Sequence, residues 1–155
     1  MNLMSYLTAL SRENKSKKIK YMTIHSTVAD VATRIRNGQQ SRKLEILLKK
    51  TNKTINILNV LKTEGFIRGY KVEDRNILVL LKYISDKPVI EKIETISTYN
   101  SNKFTSVKNL IQLKELMKKS NQGLGLFVVS TSKGILSDYQ CIAQNVGGQL
   151  ILRIL

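Results

Sequence analysis

The chain has one cysteine and one histidine, Cys141 and His25, which closes two common ways of holding a small fold together. No intrachain disulfide can form, and no Cys/His set can cage zinc. Cys141 reads as a small buried apolar residue, and His25 as a surface or helix-capping residue. A lone histidine with no acid patterned beside it also argues against a Ser-His-Asp triad. No G-x-x-x-x-G-K-S/T run is present, so there is no Walker phosphate loop. No apolar run approaches the ~18 residues that a membrane-spanning helix needs. The last scarcity is in carboxylates: Asp and Glu number 11 against 26 Lys and Arg, a formal net charge of +15.

That excess selects a class of partner. A compact body so one-sidedly basic repels itself and favours polyanions, nucleic acid first and an anionic membrane second. With 42% hydrophobic residues and a single proline, the composition is that of a folded chain, long enough for one domain or two small ones. The charge is spread unevenly. Residues 1–24 carry Arg12, Lys15, Lys17, Lys18 and Lys20 against Glu13 alone. This basic N-terminal extension fits either an organellar targeting segment or an extension kept on the mature protein. Gly123 to Leu155, by contrast, hold only Lys133, Arg153 and Asp138.

Periodicity gives an α+β chain of two small units. In "HSTVADVATRIRNGQQSRK" Ser26 or Thr27 can cap a helix whose stripe is Val28, Ala29, Val31, Ala32 and Ile35, with Asn37-Gly38 as its stop. A short strand over Leu44–Leu48 follows. A second helix starts at Thr51 or Asn52 and ends at Gly65, and a hairpin of Phe66–Val72 and Asn76–Ile84 turns through Glu73-Asp74-Arg75. Residues 25–86 therefore form an α-β-α-β-β unit. The only proline lies in Ser85-Asp86-Lys87-Pro88, which marks the seam. The second unit, 87–155, is mainly antiparallel β with short helices. It has strands at Val89–Ser97, Leu124–Val129 and Gln149–Ile154, helical spacing at Val107, Leu110, Leu113 and Met117, and a turn or short helix over Leu136–Gln144.

The stretch "LFVVSTSKG" runs a stiff apolar strand into Ser130, Thr131 and Ser132, then Lys133 and Gly134. Three readings are open: a phosphate or RNA grip, a catalytic serine, or a polar turn. Ser130-x-x-Lys133 has the spacing of the S-x-x-K of penicillin-binding enzymes. That pattern opens a helix, whereas Ser130 closes a strand, and no K-T-G accompanies it. Hydroxyls both donate and accept, so they can serve phosphate oxygens, ribose 2′-hydroxyls and base edges. Gly134 permits close backbone approach, Lys133 adds a flexible charge, and a strand end holds the group rigidly.

"GLGLFVVSTSKGILSD" followed by "VGGQLILRIL" resembles the C-terminal half of the bacterial-type small-subunit ribosomal protein eight family, where a G-L-G strand enters an S-T-S-K-G loop. "VADVATRIRNGQ" resembles that family's opening helix, and "NVLKTEGFIRGYKV" with "LKY" its second helix and hairpin. The resemblance runs colinearly from His25 to Leu155. It implies a non-enzymatic, cofactor-free protein that binds the central domain of small-subunit ribosomal RNA, beside neighbouring small-subunit proteins and with no small-molecule substrate. A free regulator of messenger RNA using the same surface is the alternative. The residues it implies at the RNA are Ser130, Thr131, Ser132, Lys133 and Gly134, an aromatic at Phe104, and auxiliary contacts from Thr33, Arg36 and Asn37.

The departures carry expectations too. Where the family has S-x-P-G-x-R-x-Y this chain has "STYNSNKF", so Pro-Gly becomes Tyr99-Asn100 and the aromatic is Phe104. Extra residues lie between Leu110 and Gly123. Their Lys114, Lys118 and Lys119 are expected to project outward, either replacing the charge of the missing Arg near the RNA or forming a solvated helix face that touches nothing. With the Asn/Lys/Ile-rich composition, these expansions suggest a diverged organellar member, mitochondrial in the first instance, with plastid or bacterial cytoplasm as alternatives. The charge map then gives a first prediction. Deleting residues 1–24 flattens the salt dependence of RNA binding while the preference for the cognate RNA helix over a scrambled one persists. A preference lost with the deletion would refute this division of labour.

Overall fold

The computed structural model describes residues 27–97, 101–120 and 125–155. The basic extension, His25 and Tyr99-Asn100 lie outside the described residues. The fold is α+β, as the periodicity predicts. Helix α1 (27–40) buries Val28, Val31, Ala32 and Ile35. It does not stop at Asn37-Gly38. A Cβ on Gly38 would lie 2.6 Å from Ile46 Cγ2 and 3.0 Å from Leu81 Cδ1, so the glycine serves close approach of the helix to a strand rather than termination. The reversal falls to Arg42 at φ 52°. Lys43 N–H donates to Gly38 O at 2.9 Å and Arg42 N–H to Gln39 O at 3.0 Å, a Schellman closure with an unusual residue in the left-handed position.

Strand β1 (Glu45–Lys49) turns Ile46 and Leu48 inward. Helix α2 (Asn52–Thr63) is capped by Thr51, whose hydroxyl accepts from Thr54 N–H at 3.1 Å, and is closed by Gly65 at φ 78°. Strands β2 (Ile67–Val72) and β3 (Asn76–Leu81) make the expected hairpin, in a three-stranded antiparallel sheet ordered β1-β3-β2. The second run is shorter than expected. Its last residues form β4 (Tyr83–Ile84), which pairs with β5 (Lys87–Pro88) across Ser85 and Asp86, both at positive φ. Pro88 therefore sits on a two-stranded edge, where its missing N–H is tolerated.

The second sheet is ordered β6-β10-β8-β9, from β6 (Ile93–Thr95), β8 (Leu126–Thr131), β9 (Gly134–Ser137) and β10 (Gly148–Ile154); β7 (Phe104–Thr105) also pairs with β10. Helix α3 (Val107–Ser120) precedes β8, and α4 (Asp138–Ala143) follows β9 at once. Ser137 caps α4 in a reciprocal box with Gln140. Two cores result. The larger draws on α1, α2, the first sheet and Ile93, Leu126, Val128 and Leu152 of the second, so it takes residues from both sides of Ser85–Pro88. The smaller joins Leu110 and Met117 of α3 and Cys141 of α4 to Phe127, Val129 and Leu150. Strand β8 feeds both cores by strict alternation, which is why it reads as an unbroken apolar run.

Lys114 departs from its outward expectation. Its side chain is 12% exposed and its Nζ lies 3.3 Å from Oδ2 of Asp138, which is 1% exposed, and over the ring of Tyr139. The wall of α4 captures it because Asp138, placed by the cap in the first turn of α4, is buried and needs a counter-charge. The side chains of Lys118 and Lys119 lie outside the described residues. Burial pushes the Asp138 carboxyl above its ordinary range, against the opposing pull of Lys114 and the Tyr139 N–H. Lys114→Met keeps the stem and removes the charge, so it leaves a buried carboxylate unpaired at a cost of about 3–5 kcal/mol at neutral pH. A raised folded-state pKa means stability that is full below the ordinary carboxylate value of about 3.9 and lost as pH rises through the raised one. The deficit of the variant therefore shrinks on acidification, and adding Asp138→Asn restores most of it at neutral pH. Urea unfolding at both pH values tests this; a pH-independent deficit would contradict it.

Candidate nucleic-acid interface

The hydroxyl stretch forms the tip of the β8–β9 hairpin. Thr131 pairs with Gly134 across a turn of Ser132 and Lys133. Thr131 Oγ1 donates to Gly134 O at 2.8 Å and accepts from Lys133 N–H at 3.1 Å. Gly134 sits at φ 117° with nothing within 4 Å of a built Cβ, so it is required by the backbone angle rather than by a close neighbour. The three hydroxyls thus divide their roles. Thr131 builds the turn, while among the described residues no side-chain hydrogen bond engages the hydroxyls of Ser130 or Ser132. Ser132, Lys133 and Gly134 are exposed.

Phe104 reaches the same surface through β10. Gln149 pairs with Phe104 on one side and with Ser130 on the other, and directly paired residues on neighbouring strands carry their side chains to one face. A row Phe104–Gln149–Ser130 results. Phe104 is 74% exposed, a large ring left in solvent. Two devices hold it there. The Ser97 hydroxyl donates to Leu150 O and accepts from Lys103 N–H at 3.0 Å, tying both ends of the loop before Phe104 to the sheet. Gly147 and Gly148 let β10 pass between its neighbours: a Cβ on Gly147 would lie 2.6 Å from Thr105 O, and one on Gly148 would lie 2.3 Å from Ser130 O.

The auxiliary residues divide. Thr33, Arg36 and Asn37 are all exposed on one face of α1. Arg36 donates to Ile93 O and borders the cleft onto which Phe104 opens, with Lys103 and Arg153. Asn37 borders a different depression with Arg34 and Lys43. The hairpin tip faces α2: Lys133 and Gly134 share a groove with Asn56, Asn59 and Thr63. Sequence reasoning missed Gln149, Arg153 and these α2 residues. Only strand register or tertiary packing reveals them. Ser97 alone had a signal, as the retained first residue of the altered S-x-P-G-x-R run. Glu94, across β6–β10 from Arg153, is held below the usual carboxylate range, chiefly by its hydrogen bond from Lys92 and further by Arg153 and Arg36. Among the described residues no cluster of His, Cys, Asp or Glu could hold a metal ion, and no helix is long and apolar enough to cross a membrane.

A sequence model of the ribosomal protein S8 family matches residues 26–155, which spans both sheets and the whole hydroxyl hairpin. The chain belongs to the ribosomal protein S8 family. Among its relatives, the small ribosomal subunit protein uS8 of Bradyrhizobium sp. (strain ORS 278) is 37% identical over 138 residues, covering 86% of this chain and 99% of the relative. The uS8 proteins of Rhodopseudomonas palustris (strain BisA53) and Nitrobacter hamburgensis have the same identity and coverage. Membership makes this chain a non-enzymatic structural component of the small ribosomal subunit. Gly147 and Gly148, the first residue of β10, leave the room in which Gln149 pairs with both Phe104 and Ser130. Gly148→Ala is therefore expected to cost about 1–3 kcal/mol in denaturant unfolding, the scale of overpacking a well-filled site. It should also weaken amide protection at the Gln149–Ser130 pairing. Gly69→Ala, with nothing within 4 Å, is the control and should leave both unchanged. Equal behaviour of the two variants would dismiss this role of Gly148.

Proposed function

We propose that this protein binds small-subunit ribosomal RNA directly, at its central domain, and supports assembly of the subunit beside neighbouring ribosomal proteins. The observation that carries this reading is the division among the hydroxyls: Thr131 is used by the turn, whereas Ser130 and Ser132 keep their hydrogen-bonding capacity on a rigid hairpin. A plain polar turn needs only Thr131. Exposed Phe104, in register with Ser130 through Gln149, adds a stacking surface for an unpaired base. The hairpin carries little charge of its own, so it supplies recognition through hydrogen bonds. The basic residues of the N-terminal part supply the salt-dependent attraction. Residues 25–86 thus serve as an auxiliary RNA-binding unit, and 87–155 as the unit carrying the recognition hairpin.

Ser130→Ala with Ser132→Ala should weaken binding to a central-domain rRNA fragment by about 1–3 kcal/mol, at about 0.5–1.5 kcal/mol net per hydrogen bond, with denaturant stability unchanged. Unchanged affinity in a folded double variant would return the hairpin to the plain-turn reading. Cosedimentation with small subunits in a gradient separates the ribosomal role from that of a free messenger-RNA regulator. We further propose a mitochondrial ribosome as the site, supported by the Asn/Lys/Ile-rich composition and the basic extension. Subcellular fractionation that places the protein in a plastid or a bacterial cytoplasm would overturn that part alone.

A further inference from the structure

A cleft of about 410 Å³, lined by Arg42, Leu44, Arg68, Tyr83, Ser85 and Asp86, shares no residue with the Phe104–Ser130 row. Its volume is within the range of sites that enclose a guest. Two backbone irregularities supply its arginines. Arg42 holds the left-handed position after α1, and the Tyr83 hydroxyl donates to Lys43 O at 2.7 Å, tying that turn to β4. Arg68 is the extra residue of a bulge in β2. Ile67 pairs with Leu81 and Gly69 with Leu80, so Arg68 has no partner across the strand pair. A bulge re-aims the side chain it carries, here on the open edge of the sheet β1-β3-β2. Both arginines are exposed, and among the described residues neither guanidinium makes a hydrogen bond or an ion pair.

The rest of the lining narrows the guest. Leu44 is 72% exposed and Tyr83 is half-buried, so apolar surface stands beside the two arginines. Asp86 is the only carboxylate of the cleft, and against two arginines it leaves one positive charge in excess. The planar fork of arginine matches a carboxylate in paired hydrogen bonds, and the Ser85 hydroxyl can add a further donor. We propose that this cleft receives an acidic-apolar segment of a neighbouring small-subunit protein, its carboxylate toward Arg42 and Arg68 and an aliphatic side chain against Leu44 and the Tyr83 ring. This rests on the reading above of a protein assembled beside neighbours, and it gives that contact an address. Charge complementarity decides between guests. One excess positive charge matches one carboxylate, whereas an RNA strand brings a phosphate with every nucleotide past Asp86 and offers Leu44 no aliphatic partner.

The test uses the full chain with the photocrosslinker p-benzoylphenylalanine in place of Leu44, assembled into small subunits and irradiated. The crosslinked peptide, identified by mass spectrometry, should belong to another small-subunit protein and carry Asp or Glu beside an aliphatic residue. Arg68→Gln and Arg42→Asn should each cut its yield about tenfold, the scale of one charge-assisted hydrogen bond. Asn suits the left-handed backbone, so Arg42→Asn removes the charge and keeps the turn. Both variants should retain the parent's circular dichroism and its preference for a central-domain rRNA fragment over a scrambled one. Crosslinking to rRNA would make the cleft an RNA contact and overturn the proposal. So would an absence of crosslinks in subunits that hold the chain, or a yield indifferent to both arginine variants. All three outcomes leave the reading of a subunit protein standing. A chain that does not enter small subunits at all would sink that reading and this proposal together.

Discussion

The geometry of the C-terminal sheet depends on one close approach. Strand β10 pairs with β6, β7 and β8, and it enters this position through two glycines whose missing side chains leave room for the carbonyls of Thr105 and Ser130. Any larger residue there would push a strand outward and break the pairing of Gln149 with Phe104 and Ser130. A bulge between Leu150 and Leu152 then resets the strand. Ile151, Leu152 and Ile154 join the larger core while Leu150 joins the smaller. One strand thus sets the spacing of the surface and divides the interior.

Charge is arranged by the same economy of contacts. The buried Lys114–Asp138 pair fastens α3 to α4, so a lysine that sequence alone assigns to the surface becomes part of the scaffold. Arg36 donates to the backbone of β6 from α1, and Arg153 faces Glu94 across β6–β10. The cations near the proposed RNA surface are therefore held on rigid elements, and less conformational entropy is lost when they meet a phosphate than for mobile lysines. The hairpin between them stays nearly uncharged.

Much of this was legible in the sequence. Thr51 capped its helix, Gly65 ended it, and Glu73-Asp74-Arg75 turned the hairpin, each through a local backbone preference that tertiary packing did not need to override. Gly38 misled because two physical uses of glycine look alike in a sequence. There it served close packing, and Arg42 took the left-handed position. Pro88, read as the seam between units, sits on a two-stranded edge, where only the strand's neighbours decide whether a missing N–H matters. Within the candidate site, "STSKG" and Phe104 stand out in the sequence, but the separate role of Thr131 does not. Arg153, Gln149 and the α2 residues beside Lys133 come from distant parts of the chain, and no local pattern marks them.

The Ser97 hydroxyl fixes the loop from Ser97 to Lys103 at both of its ends. A loop tied at its ends tolerates changes of length well, because lengthening it costs only about 0.6 kcal/mol per doubling. Phe104, just beyond that closure, takes its position from the Ser97 anchor and from its pairing with Gln149.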